Sequence, residues 1–249
     1  MKTEQHLEGA FGKAAPVHYV WQTEHPFVAA REKQLVRRAF LPLRGRVLDL
    51  GCAEGATLLH LGFGAGGSAG GESEGAVGVD IFEDKLAFAR SRLPKCTFVC
   101  ASGYELPFEA ESFDHVLVRD VIHHMDQPER AISEMHRILR PGGRVDVLEP
   151  CGRNPLIALH ALMNKAERGE LRSTPAYLEG LLSSRFTLTE TSRHQAMPIH
   201  RIVFHPEMGS PALHENKLVT RAVSAVEKTL DVLLPRATWA YVHVRAVKA

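Results

Sequence analysis

Asp49-Leu50-Gly51-Cys52-Ala53-Glu54-Gly55 places a carboxylate at the end of a short apolar run, followed by a turn punctuated by glycine. Gly51 and Gly55 let backbone approach a ligand closely, and the helix that follows offers its first amides. A dinucleotide site needs Gly-x-Gly-x-x-Gly/Ala, and the register here gives Gly51-x-Ala53-x-x-Ala56, without the second glycine that admits a pyrophosphate. No Gly-Lys-Ser/Thr follows, so a phosphate-cradling P-loop is excluded. A second apolar run, Ala76-Val77-Gly78-Val79-Asp80, also ends in a carboxylate. Downstream, His123 and His124 offer imidazoles that titrate near neutrality and so suit acid–base work.

Four more segments extend the pattern. Phe98 to Phe108 contains Leu106-Pro107-Phe108, and Ser112 to Val118 reads as another buried strand. Val121-Ile122-His123-His124-Met125 and Leu139-Arg140-Pro141-Gly142-Gly143 follow in order. Over residues 45–150 the chain resembles the class I S-adenosylmethionine-dependent methyltransferases, of the small-molecule, type 11-like kind. The resemblance implies a Rossmann-like sheet of seven mostly parallel strands with helices on both faces, and S-adenosyl-L-methionine as cofactor. It also implies that Asp49, Gly51, Ala53 and Gly55 line the methionine end, that Asp80 accepts from both ribose hydroxyls, and that Ile81 packs on adenine. Ser102, next to Gly103, stands where many relatives have an aspartate that accepts from the adenine amino group. Ala53 replaces a common glycine, a change read as one added methyl. Arg119 either contacts the cofactor carboxylate or reaches solvent.

Methyl transfer from a sulfonium is an in-line displacement, so holding the nucleophile in place supplies much of the rate. A base is needed only for a protonated acceptor. His123 and His124 are the candidates, with His18, Tyr19 and His200 as weaker substrate-binding candidates. The segment after the fourth strand, Arg119-Asp120-Val121-Ile122, lacks the Asp/Asn-Pro-Pro-aromatic signature of enzymes that methylate amino groups of DNA bases. A net charge of +1 likewise supplies no electrostatic footprint for nucleic acid.

The elements that must hold these residues are legible from periodicity. Thr23 is expected to cap a helix with Pro26 in its first turn, running to Phe40. Strands are expected at 46–50, 76–80, 97–100, 114–118 and 144–148, alternating with helices at 57–61, 82–92 and after an Asp126-x-x-Glu129 capping box. Such alternation signals a parallel sheet covered on both faces. Helices from Leu156 to Met163 and from Pro175 to Leu182 should cap the sheet's carboxyl edge. A sixth strand is expected at 185–190, a helix from Val219 to Leu233, and a last strand from Trp239 to Val247. Family resemblance makes that last strand antiparallel, between the fifth and sixth. The glycine-rich stretch 62–75 reads as a surface loop. It lengthens the gap to Asp80 beyond the ~20 residues usual in a compact unit.

The 249 residues suit one methyltransferase domain. Within it, 1–45 forms a lid segment, 46–150 the cofactor core, 151–215 the cap and acceptor region, and 216–249 the last helix and strand. Neither a signal peptide nor a membrane span is evident, so the expected location is cytoplasmic and the expected partner a small-molecule acceptor. Cys52, Cys96, Cys100 and Cys151 lack paired metal spacing and are read as reduced thiols. His194, His200, His205 and His214 lack zincin spacing, so no metal is expected. The chain thus reads as a methyltransferase acting on an O or N atom, in a role suited to secondary metabolism. The alternatives are a non-catalytic cofactor-binding partner and an NAD(P)-dependent reductase, the latter disfavoured by the broken glycine pattern and the absence of a Tyr-x-x-x-Lys pair.

Overall fold

A computed structural model describes residues 17–64, 73–206 and 208–249. Seven strands, β1 (Gly45–Leu50), β2 (Ser73–Asp80), β3 (Thr97–Cys100), β4 (Phe113–Arg119), β5 (Leu139–Pro150), β6 (Thr187–His194) and β7 (Tyr241–Val247), form one sheet in the order β3-β2-β1-β4-β5-β7-β6. The pairs among β1 to β5 are parallel, and β7 runs antiparallel to both β5 and β6, as expected. Strand order reverses between β1 and β4, which opens a crevice at their carboxyl ends.

Strand alternation sends neighbouring side chains to opposite faces. Leu48, Val116 and Val145 pack on one side, against Ile132, Met135 and Ile138 of α5 (Pro128–Ile138) and Leu178 of α7 (Pro175–Ser183). Val47 and Leu117 pack on the other side. Their partners are Val36, Ala39 and Phe40 of α2 (Pro26–Phe40), Leu58 and Leu61 of α3 (Ala56–Leu61), and Leu86 and Ala89 of α4 (Glu83–Arg92). The sheet is therefore apolar over most of both faces, apart from a buried polar cluster in which Asp146 of β5 accepts from His243 and Arg245 of β7. The remaining helices are α1 (Val17–Thr23), α6 (Pro155–Met163), α8 (His200–Val203) and α9 (Lys217–Leu233). A 3₁₀ segment, Lys165–Arg172, follows α6.

Several local expectations change. Thr23 closes α1, its hydroxyl donating to the Tyr19 carbonyl, and His25 rather than Thr23 precedes α2. The Asp126-x-x-Glu129 box does not form: Gln127 is the N-cap and makes no side-chain cap bond, while the Asp126 amide donates to the Tyr104 hydroxyl. Strand β5 starts at Leu139 because Gly142, at φ +76°, lets Pro141-Gly142-Gly143 stay within the ladder and pair with Lys248. Strand β6 begins at Thr187, since the Arg185 and Phe186 amides are committed to Leu182 at the end of α7. In the glycine-rich stretch, Gly62 ends α3 in the left-handed region and β2 begins at Ser73, while residues 65–72 lie outside the described residues. Among the described residues no helix is long and apolar enough to cross a membrane.

Candidate functional site

The turn after β1 is built by backbone geometry that side chains resist. Gly51 (φ +74°) lies so close to Val121 that an added Cβ would stand 2.3 Å from a valine methyl. Gly55 (φ +85°) opens α3. Between them Ala53 also takes a left-handed conformation, at φ +46°. Replacing glycine there therefore adds backbone strain as well as a methyl, because an L-residue pays about 1–2 kcal/mol in that region.

The Gly51 and Cys52 amides both donate to the Val79 carbonyl, which ties this turn to the end of β2. Asp80 then accepts from the Ala53 amide (2.8 Å) and the Phe82 amide (3.1 Å). Those two bonds leave lone pairs on the carboxylate facing the crevice. Burial outweighs the two bonds and raises the Asp80 pKa. Asp49 is buried deeper. One of its carboxylate oxygens has no hydrogen-bond partner, and burial pushes its pKa up to about 7 against the pull of Arg119.

These residues border a cavity of about 490 Å³ at the carboxyl ends of the strands. Gly51, Ala53, Asp80, Ile81, Ser102 and Gly103 line one part of it. The Ser102 hydroxyl already accepts from the Tyr104 amide at 3.3 Å. Asp49 and Gly55 stand behind the lining. His18, His124, His160, Asn164, Glu167 and His205 line the other part. Glu54, Tyr104 and Asp120 also face the cavity, and none of them was singled out from sequence. Asp120 is a further non-glycine residue with positive φ (+55°), the kind of strain that concentrates at functional sites.

Besides Asp49 and Gly55, four expected residues lie off the cavity wall. Arg119 reaches neither cofactor space nor solvent. Its guanidinium is held by Glu32 (2.5 Å) and Asp120 (3.3 Å), its side chain 5 % exposed. Burial disfavours the Glu32 charge, but Arg201 and Arg119 outweigh it and hold the carboxyl well below its usual range. His200 belongs to the same buried cluster, 2.7 Å from Glu227 and 3.6 Å from Glu32. Tyr19 packs edge-on against Phe88.

His123 is the fourth. Its Nδ1 lies 2.6 Å from Glu149 and its Nε2 3.2 Å from Glu167. Burial opposes a charge there, yet the two glutamates prevail and raise its pKa well above the ordinary value. Of the two adjacent histidines, His124 therefore faces the cavity. Burial, then the neighbouring His123, lowers its pKa to about 4, so its ring is neutral near pH 7.

The 3₁₀ segment carrying Glu167 is seated by two glycines. A Cβ on Gly169 would fall 1.7 Å from the His123 carbonyl oxygen, and one on Gly152 would fall 2.6 Å from the Glu170 carbonyl oxygen. Nothing in the local pattern of Lys165-Ala166-Glu167-Arg168-Gly169-Glu170 separates this wall from a solvated charged turn.

Residues 48–146 match the family model described as a methyltransferase domain. The chain is 33% identical over 118 residues to demethylmenaquinone methyltransferase of Clavibacter sepedonicus, covering 45% of this chain and 44% of that one. It is 30% identical over 138 residues to 27-O-demethylrifamycin SV methyltransferase of Amycolatopsis mediterranei, covering 51% and 48%. The matches thus span about half the length of these curated relatives. Among solved structures, phosphoethanolamine N-methyltransferase 2 of Haemonchus contortus in complex with S-adenosyl-L-methionine superposes with a TM-score of 0.60 at 18% identity. That superposition covers 88% of this chain and 52% of that one, and it speaks for the fold alone. The site suits that cofactor on chemical grounds: Asp80 retains acceptor capacity for a diol, and the orphaned Asp49 oxygen lies buried near a turn where a cation would relieve it. Matched motif order, fold and site chemistry agree that residues 48–146 form a methyltransferase domain, with S-adenosylmethionine as its cofactor.

Proposed function

We propose that this chain catalyses methyl transfer to an O or N atom of a small-molecule acceptor, in the cytoplasm and in a secondary-metabolic role, without nucleic acid as substrate. The observation that carries the reading is a single cavity shared by two unlike sets of residues. Gly51, Ala53 and Asp80 supply close backbone and a diol-accepting carboxylate, while His18, His124, His160 and Glu167 supply polar groups beside it. Bound S-adenosylmethionine supplies an activated methyl on a sulfonium. The protein's part is to fix that cofactor, orient the acceptor and exclude water. In this reading Asp49, Gly51, Ala53, Gly55 and Asp80 hold the cofactor, with Ile81, Ser102 and Gly103 around adenine. Arg119 braces Glu32 and Asp120 behind that site. Of the histidine pair, His124 is the member placed to meet an acceptor hydroxyl.

The domain plan follows the same division: 46–150 forms the cofactor core, and 151–215 together with the segment up to 45 shapes the acceptor side. The name of the rifamycin relative, which records an oxygen on a small molecule, supports the small-molecule and O-directed reading. A net charge of +1 supports the exclusion of nucleic acid. Calorimetry tests the cofactor half directly: S-adenosylmethionine and its demethylated product should bind saturably and NAD should not. Label transfer from methyl-labelled cofactor to a panel of hydroxyl and amine acceptors then tests the reaction. Binding of NAD alone would overturn the reading.

A further inference from the structure

The acceptor wall contains a second grouping that methyl transfer does not require. One nitrogen each from His123 and His124 and one oxygen of Glu167 lie within 4.8 Å of one another. The Glu167 oxygen stands 3.2 Å from His123 Nε2 and 3.7 Å from His124 Nε2. Tetrahedral ligands at about 2.0–2.1 Å from a zinc ion stand about 3.3 Å apart, so the two spacings from the Glu167 oxygen are already close to that value.

We propose that His123, His124 and Glu167 form a binding site for a divalent transition metal of the zinc type, with an open coordination position facing the acceptor cavity.

Three features distinguish this grouping from a chance ion pair. First, the far nitrogen of His123 is held 2.6 Å from Glu149, which is fully buried and also accepts from the Val121 and Ile122 amides. A buried carboxylate behind a histidine, fixing its ring so that the other nitrogen points forward, is the usual support of a metal-ligating imidazole. Second, two carboxylates converge on His123, with side chains of Glu149 and Glu167 only 0% and 13% exposed. Even a protonated imidazole leaves one negative charge in that space, and a dication would balance both carboxylates. Third, Gly169 permits a backbone approach to His123 that any side chain would block, so the segment carrying Glu167 is fixed rather than loosely draped.

Two imidazoles and one carboxylate favour a transition dication over magnesium or calcium, which prefer oxygen ligands throughout. His124 and Glu167 line the cavity, so the open position is directed at the space assigned to the acceptor. That an acceptor oxygen takes this position rests on the methyl-transfer reading. The binding of metal does not. With metal present His124 is a ligand, and the metal rather than the imidazole meets the acceptor.

The test uses the full chain, stripped with a chelator and titrated with Zn²⁺ against a chromophoric competitor, and with Co²⁺ to read coordination from its visible absorption. Wild type should bind one ion per chain, and Co²⁺ should give the intense bands of a four- or five-coordinate site. Glu167→Gln and His124→Ala should each weaken that binding by at least ~10²-fold, and Glu149→Gln, acting behind His123, by about 10- to 100-fold. Circular dichroism of each variant and its affinity for S-adenosylhomocysteine establish that fold and cofactor site persist. Glu167→Ala replaces the Gln variant if the latter does not fold. Absence of Zn²⁺ binding, or binding that survives both Glu167→Gln and His124→Ala, overturns the metal site. If S-adenosylhomocysteine still binds in that case, the methyltransferase reading stands. Loss of homocysteine-nucleoside binding with zinc intact would instead strike the function and spare this inference.

Discussion

The two ends of the cavity are built on different principles. The end proposed for the cofactor is made of backbone: Gly51, Ala53 and Gly55 in left-handed conformations, two amides on the Val79 carbonyl, and Asp80 reaching only from the end of a neighbouring strand. The end proposed for the acceptor is made of side chains brought from afar. His123 meets Glu149 across 26 positions and Glu167 across 44, while His18 and His205 arrive from opposite parts of the chain and touch at 5.6 Å. A ligand common to a whole family can be held by close backbone, which tolerates change in side chains. An acceptor that differs among relatives must be read by side chains, and those can vary one at a time.

If this division holds, damage at one end should leave the other intact. Asp80→Ala gives the largest effect. Removing the carboxylate proposed to hold the ribose should weaken S-adenosylhomocysteine binding by about 1.5–3 kcal/mol, the scale for hydrogen bonds to a charged group. Calorimetry measures it. Zn²⁺ affinity at the histidine wall should stay within about threefold of wild type, and a parallel collapse of both affinities would show that the ends are one cooperative unit.

The same division explains what could be read from sequence. Strand β3 at 97–100 and the placing of Asp49 and Asp80 at strand ends were accessible because they depend on short-range alternation and glycine punctuation, whereas the antiparallel β7 between β5 and β6 came from the family resemblance. The Asp126 capping box failed because a motif of that form needs a chain entry angle, and here the Tyr104 hydroxyl takes the Asp126 amide instead. Arg119 was misplaced because Glu32, 87 positions earlier, lies on the helix across β4 and draws the guanidinium away from the cavity. Glu167 and Glu170 gave no signal, since a polar stretch reads as solvated until Gly169 is found packed on His123. His123 and His124 look equivalent in sequence, and only the position of Glu149 at the end of β5 separates the held ring from the one that faces the cavity.

Asp49 sharpens the comparison through pH. Its folded pKa of about 7 lies above the ~3.9 of an unfolded chain, so the native state keeps a proton that the unfolded state has lost. Stability from this group is therefore full below about pH 4, declines as pH rises toward 7, and is flat beyond. The whole shift corresponds to a ceiling of about 4 kcal/mol, and relaxation around the site should reduce it to about 2 kcal/mol. In chemical denaturation Asp49→Asn should abolish that slope and be more stable than wild type at pH 8 without ligand, yet bind cofactor more weakly. A cation placed nearby would lower the Asp49 pKa, so wild type should release protons on binding at pH 6–7 and the Asn variant should not, as calorimetry in two buffers would read. An identical pH slope in both proteins would remove Asp49 from the cofactor end.

Ala53→Gly offers the smallest effect and the finest test of whether the cofactor end is a backbone device. Ala53 lies at φ +46°, where its Cβ costs about 1–2 kcal/mol, and glycine would relieve that strain. Against this gain, glycine enlarges the freedom of the unfolded chain by about 0.4–1 kcal/mol. The balance should favour the variant by about 0.5 kcal/mol, measured as a shift in urea midpoint at unchanged slope. The amide that donates to Asp80 is kept in the variant, so cofactor affinity should change by less than about threefold. A destabilised Ala53→Gly would mean that the alanine methyl makes packing contacts worth more than its conformational cost. The turn would then depend on side chains as the histidine wall does, and the contrast between the two ends would narrow to one of distance along the chain.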